Sequence, residues 1–220
     1  MNKDIMDDAE HNLYRVAGAI VLTPVNLDAV DRQDILDSIL LAQLFSKKRH
    51  GAQATPEKWI RACIKCLSNL NWTVASSNST LTNLTTPFSA ASAMSAAFKP
   101  QEADLAKLLM RLPPATRRAL KQHCIDNSKD GAQIRLSIAI AYRRGEFQLK
   151  SLEFASSSTI EGDWIHQEHH ASVSAPTPAR LSDFSFYLTE DFESVRDKVI
   201  KSLGGKRAKE IQAIDSKPVA

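Results

Sequence analysis

Alternating side-chain character in one stretch, Gln133–Leu149, constrains the fold of this chain more than any other feature. The even-numbered residues from 134 to 142 are apolar, whereas the odd-numbered positions hold Arg135 and mostly small residues. Side chains of a strand point to opposite faces in turn, so the pattern predicts a strand with one apolar face. Gly145 suits the turn that follows and Phe147 resumes the alternation, which together predict a β-hairpin.

The second strand of this hairpin changes its parity. Phe147 and Leu149 are odd-numbered, whereas Leu152 and Phe154 are even-numbered. One extra residue near 150–151 would keep all four side chains on the same face of the sheet. The sequence therefore predicts a β-bulge at that point.

Two amphipathic helices precede the hairpin. The first is predicted from Asp31, a good N-cap, to about Lys48, where basic residues face the negative end of the helix dipole. The second is predicted from Thr55–Pro56 to about Leu70, because Thr caps a helix and Pro is tolerated at its first position. A short loop joins them, so we expect an antiparallel helical pair that covers the apolar face of the strand.

The remaining elements follow in blocks of one type. Further strands are predicted at Asp163–Val173 and Phe184–Leu188, and a helix capped by Thr189 comes next. We predict an α+β fold, with N-terminal helices on a small antiparallel sheet of about four strands, followed by a C-terminal helix. The expected boundaries are an acidic, partly mobile arm at 1–30, one domain at 31–214 (helical at 31–126, stranded at 131–188, helical at 190–214) and a frayed tail at 215–220.

Charge distribution and cysteine content indicate where in or outside the cell the protein resides. The net charge is +3, but the first 37 residues carry −5, which leaves +8 on the remainder. An acidic arm can shield a basic body or gate a partner. Acids precede the apolar stretch Val16–Leu22, where a signal peptide needs positive charge, and three cysteines leave an odd thiol. We predict a cytoplasmic protein, or one exported without a cleaved signal peptide.

Three blocks carry recurring motifs. Asp34–Arg49 contains S-x-L-x-A-Q-L, Thr55–Val74 contains P-x-x-W and L-S-N-x-x-W, and Leu188–Gly205 is a capped helix. In these blocks, about a quarter of its length, the chain resembles a family of uncharacterised microbial α+β proteins. The resemblance implies the α+β layout and brings no established activity. The chain departs from the family pattern at Cys63-x-x-Cys66.

That cysteine pair is the first candidate for chemistry. A C-x-x-C pair can be a redox couple or half of a zinc site. Here it lies about two turns inside a predicted helix, beyond the reach of the helix dipole that lowers a thiol pKa. We interpret Cys63 and Cys66 as packed core thiols, with metal binding and redox chemistry as alternatives.

Histidines cluster in the segment WIHQEHH, which makes it the second candidate. On a strand, His166, Glu168 and His170 share one face and form a candidate metal site. In a loop this spacing carries no such meaning, and the segment is then a solvated or pH-sensitive patch.

Basic residues form a third candidate. Arg135, Arg143 and Arg144 are the candidate binding residues of the central hairpin. The basic pairs of the chain are scattered and aromatic residues make up only 6% of it, which disfavours nucleic acid. An anionic membrane is an alternative partner. The charge-free stretch Pro87–Phe98 could contact such a membrane, although core packing is the simpler interpretation.

No catalytic set stands out, since the chain lacks a G-x-S-x-G elbow, a Walker loop and G-x-G-x-x-G. We therefore predict a non-enzymatic binding protein, an accessory or virulence-associated factor, with no cofactor and with a protein as its partner. The alternatives are a membrane-active, toxin-like protein and a metal-dependent enzyme centred on His166–His170. The sequence sets no oligomeric state.

Overall fold

A computed structural model of the chain describes residues 11–51, 55–84, 87–97, 108–128, 131–156, 159–169 and 177–214. The strands are β1 (His11–Val16), β2 (Ala19–Pro24), β3 (Trp72–Leu84), β4 (Ile125–Ser128), β5 (Gly131–Arg143), β6 (Glu146–Ser156), β7 (Thr177–Leu188) and β8 (Ile211–Ala213). The helices are α1 (Ala29–His50), α2 (Pro56–Ser68), α3 (Ala90–Ala97), α4 (Pro114–Cys124), α5 (Glu193–Leu203) and α6 (Lys206–Glu210).

The strands form one mixed sheet in the order β3-β7-β6-β5-β2-β1-β8, with β4 paired to β5. The predicted four-stranded antiparallel sheet is therefore wrong, although the α+β class holds. Residues 11–24, which we assigned to the acidic arm, form β1 and β2, and β2 pairs with β5 in parallel. The first ten residues of that arm and the tail at 215–220 lie outside the described residues.

Helices cover both faces of this sheet. On one face lie α1, α2 and α5, and on the other lie α3, α4 and the segment 159–169. Both faces of the central strands are consequently buried, and buried strands do not show a simple apolar–polar alternation. Strand β2, all six residues of which are buried, accordingly shows a nearly continuous apolar run.

The central hairpin exists as predicted, but its surroundings differ. The even-numbered face of β5 packs against α3 and α4, whereas α1 and α2 cover the odd-numbered face, which includes Ala139 and Ala141. The pairing of β5 with β6 is continuous past 150–151, and the register shifts instead between Ala141 and Arg143. The predicted bulge was wrong because the parity change reflects two buried faces.

The strand predicted at Asp163–Val173 is also absent from the described part of that range. Residues 162–166 form turns, and only His169 makes an isolated bridge, to Phe88. Residues 170–173 lie outside the described part. Trp164 and Ile165 are buried, so their apolar character reflects packing of a turn onto the sheet.

Ion pairs attach the C-terminal helices to α1. Arg196 on α5 donates two hydrogen bonds to the carboxylate of Asp34, at 2.9 and 2.8 Å. Arg207 on α6 donates to Asp37 Oδ1 at 2.9 Å. These contacts hold the helical layer together over the odd-numbered face of the sheet.

Candidate functional site

Strand β3 is one of the two end strands of the sheet, and the three-residue β8 is the other. Strand β3 has 13 residues and pairs in antiparallel fashion with β7. No strand among the described residues pairs with its other side. One row of backbone N–H and C=O groups is therefore left open along a long strand, which is a template for pairing with another chain.

The exposed part of this strand is Ala75–Leu81, which we call the β3 edge segment. Each of its seven residues is exposed, and Leu81 is 64% accessible. The segment contains Ser, Thr and Asn but no charged residue and no Pro. Natural sheets commonly protect such margins with charges, Pro, very short strands or β-bulges, and of these the edge segment has only the bulge at Ala75, where the register with β7 shifts.

The start of β3 is anchored in the core. Trp72 is buried, its indole Nε1 donates to Ser38 Oγ at 2.9 Å, and its ring meets Phe147 edge to face. The register with β7 shifts between Val74 and Ser76, which is where the strand leaves the core. A strand with one end fixed in this way presents its outer margin in a defined position.

Cross-strand hydroxyl contacts hold the edge segment against β7. Ser76 Oγ donates to Ser185 Oγ at 3.0 Å, and the hydroxyl oxygens of Ser79 and Ser182 lie 3.1 Å apart. Arg180 also donates to Ser79 Oγ at 3.2 Å. The side of β3 that faces β7 is thus paired. Within the described part of the chain, only the backbone groups on the opposite side of β3 lack a neighbouring strand.

Arg135, a predicted binding residue, lies in the interior with 7% of its surface exposed. Its Nε donates to Glu153 Oε1 at 2.8 Å, and its guanidinium lies 4.5 Å from the ring centroid of Trp59 on α2. Burial raises the pKa of the Glu153 carboxyl, and the Arg135 charge opposes that shift. Arg135 therefore does not contribute to an open surface.

Arg143 and Arg144 lie in the exposed turn of the hairpin. Arg143 Nε contacts Glu146 Oε2 at 2.6 Å. Arg144 lies 3.4 Å from Asp31 and 3.8 Å from Asp191. The structure thus separates these two residues from Arg135 and surrounds them with carboxylates.

The histidine segment is a turn in the described structure. His169 is buried and its Nδ1 lies 2.9 Å from Ser156 Oγ, whereas Glu168 is exposed. The described residues contain no group of three or more His, Cys, Asp or Glu side chains that could hold a metal ion. His170 lies outside the described residues, so the proposed triplet stays a prediction.

The cysteines are free thiols in the core. Burial raises the pKa of Cys66 to about 11 and that of Cys124 to about 12, and it raises the pKa of Cys63 further. A thiol with a raised pKa carries little thiolate near neutral pH and is a poor nucleophile. The packing interpretation of Cys63 and Cys66 agrees with this placement.

The charge-free stretch packs in the core over its described part. Phe88, Ala90, Ala91 and Met94 are buried against the even-numbered face of the sheet. Across the part of the chain that the structure describes, no helix is both long enough and apolar enough to cross a membrane.

The β3 edge segment is the feature that sequence reasoning missed. Neither the length of β3 nor its position at the end of the sheet was predicted. The available signal was an uncharged, Pro-free stretch rich in Ser and Thr that follows a core tryptophan. Such a stretch fits a strand that pairs with a neighbour yet has little to bury.

No protein-family model and no curated protein matches the sequence. Among solved structures, a delta-endotoxin matches with a TM-score of 0.44 at 6% identity, over 81% of this chain and 86% of that one. The Evf virulence factor matches with a TM-score of 0.40 at 12% identity, over 93% of this chain and 85% of that one. The activated Cyt2Ba monomer from Bacillus thuringiensis subsp. israelensis matches with a TM-score of 0.38 at 8% identity, over 78% and 98%.

Proposed function

We propose that the protein is a non-enzymatic binding protein that pairs its β3 edge segment with a strand of another protein chain. A second copy of the same chain is the partner that this edge fits. The observation that carries the proposal is the open margin of β3, seven exposed residues long, without charge or Pro. Strand addition of this kind draws its affinity from main-chain hydrogen bonds.

The absence of charge favours self-pairing. Two copies that pair in antiparallel fashion about a two-fold axis place like residues near one another. A charged residue near the axis would then face its own copy, and like charges in opposite positions destabilise a strand pair. The edge segment is centred on Asn78 and avoids this cost throughout. Pairs of Ser and Thr across such an interface contribute about 0.2–1 kcal/mol each.

Sedimentation velocity over a wide concentration series tests this proposal. The apparent mass of the native protein should rise from that of one chain, 24.3 kDa, toward twice that value as the protein concentration increases. Asn78→Lys should keep the protein monomeric, because a lysine on the margin of a sheet opposes pairing. The lysine lies opposite Asp183 of β7, so the fold of one chain tolerates it.

Gln122→Lys is the matched control for that variant. Gln122 is exposed on α4, so the substitution adds the same charge away from the edge segment. It should associate as the native chain does. A native protein that stays monomeric at every concentration, or an Asn78→Lys variant that associates as strongly as the control, would refute self-pairing at β3.

Membrane contact is a second candidate, favoured by the described part of the charge-free stretch, residues 87–97. No charged side chain lies within it, and its helix α3 is held by apolar packing and a few backbone hydrogen bonds, such as Ala91 N to Ile165 O at 2.9 Å. Such a segment could exchange its protein contacts for lipid without breaking an ion pair. Leakage of dye from anionic vesicles tests this, with Met94→Lys as the variant that should abolish it. Intact vesicles in the presence of the folded native protein would exclude this candidate.

A further inference from the structure

The geometry of β3 limits how two copies of this strand can pair. Two chains that extend one sheet across the β3 margin in antiparallel fashion are related by a two-fold axis perpendicular to the sheet. Residues that lie opposite each other in a sheet share one face, and the faces alternate along each strand. The axis therefore passes through a residue, which lies opposite its own copy, and not between two residues.

The length of β3 favours one residue as this centre. The strand runs from Trp72 to Leu84, and Asn78 is its midpoint. An axis through Asn78 gives every residue of β3 a partner in the other copy, whereas an axis through any other residue leaves part of the strand unpaired. Main-chain hydrogen bonds supply the affinity of strand addition, so the Asn78 register is the most favourable for the backbone.

Leu81 is the exposed apolar side chain of this margin. Its accessible fraction, 64%, is not exceeded by that of any other large apolar residue in the described part of the chain. Leu81 pairs with Arg180 of β7, whose guanidinium bonds to Glu57 at the start of α2. Paired side chains share a face, so Leu81 projects on the side of the sheet that the helical layer covers.

The bulge of β3 presents apolar groups on the same side. Val74 packs against the core cluster beneath the helical layer, and Ser77 pairs with Phe184, a member of that cluster. Ala75 is two residues before Ser77 and shares its face. Because the register with β7 shifts at Ala75, both Val74 and Ala75 lie toward the helical layer. The single methyl group of Ala75 leaves room beside Val74 for a larger apolar side chain.

We propose that two copies pair through β3 in one register, with Asn78 opposite Asn78 and with Leu81 of each chain packed against Val74 and Ala75 of the other. Leu81 is three residues after Asn78 and Ala75 is three residues before it, so the two lie directly opposite each other. The dimer therefore covers the exposed leucine of both chains. This register rests on the self-pairing proposed for β3, and it defines Leu81 as the residue that selects the register.

Competing registers lose either this contact or hydrogen bonds. A centre at Ser79 places Leu81 opposite the polar Ser77. A centre at Leu81 brings the two leucines together but leaves the strand without a partner from its start to Ser77. The Asn78 register alone combines full backbone pairing with an apolar neighbour for Leu81.

Single cysteine substitutions along the edge segment test the register. Opposite residues of an antiparallel pair have Cα atoms about 4.5–5.5 Å apart, within the range that a disulfide spans. Under oxidation with copper phenanthroline, Asn78→Cys should form a covalent dimer rapidly. The other single variants should cross-link much more slowly, and these are Ser76→Cys, Ser77→Cys, Ser79→Cys and Thr80→Cys.

A mixture of two variants gives an independent check. Ser76→Cys and Thr80→Cys should form a mixed covalent dimer, because these positions lie opposite each other in the Asn78 register. The native chain is the control, since its three cysteines are buried and should not join two chains.

Leu81→Thr tests the apolar contact. Threonine suits a strand and Leu81 is exposed in the single chain, so the fold should be retained. The dissociation constant of the dimer, measured by sedimentation, should rise about 10- to 100-fold, since each dimer contains two such contacts. Met110→Thr changes an apolar residue of similar exposure, 63%, outside β3 and should leave the dissociation constant unchanged.

The outcomes separate the register from self-pairing itself. A native dimer that Asn78→Lys dissociates, but that cross-links fastest through another position, would overturn the register and leave self-pairing intact. An unchanged dissociation constant for Leu81→Thr would overturn the assigned role of Leu81. A native chain that stays monomeric at every concentration would refute self-pairing and the register together.

Discussion

Arg135 and Glu153 lie directly opposite each other on β5 and β6, and their side chains form an ion pair with an Nε to Oε1 distance of 2.8 Å inside the core. Trp59 covers the guanidinium from α2. The pair therefore joins the central hairpin to the helical layer. Its members are 18 residues apart in sequence, so the register of the two strands determines that they meet.

Removal of one partner should destabilise the fold strongly. Glu153→Ala leaves the buried Arg135 charge without its partner, and breaking a buried pair in this way costs about 3–5 kcal/mol. Urea denaturation measures the free energy of unfolding. Glu146→Ala removes the partner of the exposed Arg143 and should cost about 0–1 kcal/mol. Equal losses of unfolding free energy in the two variants would contradict the burial of the Arg135–Glu153 pair.

The same carboxyl predicts how stability depends on pH. Burial raises the pKa of Glu153 above its ordinary value of 4.5, so the folded state favours the protonated form. The contribution of this group to stability is complete below the unfolded pKa and is lost as pH rises through the folded pKa. Glu153→Gln cannot ionise, so its stability relative to the native chain should increase as pH rises above about 4.5. Unfolding by urea at several pH values between 4 and 7 measures this difference. A relative stability of the Gln variant that falls over this range would show that the pair with Arg135 outweighs desolvation.

The cysteines should resist alkylation while the protein is folded. Burial raises the pKa of Cys66 to about 11, which makes its thiolate fraction near pH 8 about two orders of magnitude smaller than that of a free cysteine. Intact-mass measurement after iodoacetamide treatment should show slow modification of the native protein. All three thiols should react quickly in urea. Rapid labelling of Cys63 or Cys66 in the folded chain would reopen the redox interpretation.

Attachment of α5 to α1 should depend on one bidentate contact. Arg196→Gln removes both hydrogen bonds to Asp34 and should lower the free energy of unfolding by about 1.5–3 kcal/mol, the range for hydrogen bonds to charged groups. Arg143→Gln is the control at an exposed pair. A double-mutant cycle with Asp34→Asn isolates the coupling between the two side chains. A coupling near zero would show that the contact contributes nothing to the attachment.

Local sequence signals predicted the helices and the central hairpin well. Thr55 caps α2 and Pro56 opens it, as expected, whereas α1 begins earlier than predicted, with Asp28 as its N-cap. These elements depend on capping and on helical periodicity, which are local. The C-terminal helix was identified from its helical periodicity, but the predicted cap was wrong: α5 begins at Glu193 with Phe192 as its N-cap, and the Thr189 hydroxyl donates to Asn71 O instead.

The size of the sheet could not be predicted in the same way. Strand β2 is buried on both faces, so it lacks alternation, and β3 is polar, so it lacks an apolar face. The position of Arg135 depends on helix α2 covering its face of the sheet, which the alternation alone does not reveal. The open margin of β3 follows from the order of strands, and that order is a property of the whole fold.

Hydrogen–deuterium exchange along β3 tests the central claim most directly. At low protein concentration the outward-facing backbone amides of Ala75–Leu81 should exchange quickly, since no described strand covers that margin. At high concentration self-pairing should protect them, while the amides of the exposed helix α6 should show no change. Protection confined to the edge segment and lost in Asn78→Lys is the predicted result. Exchange at β3 that does not depend on concentration would contradict the account.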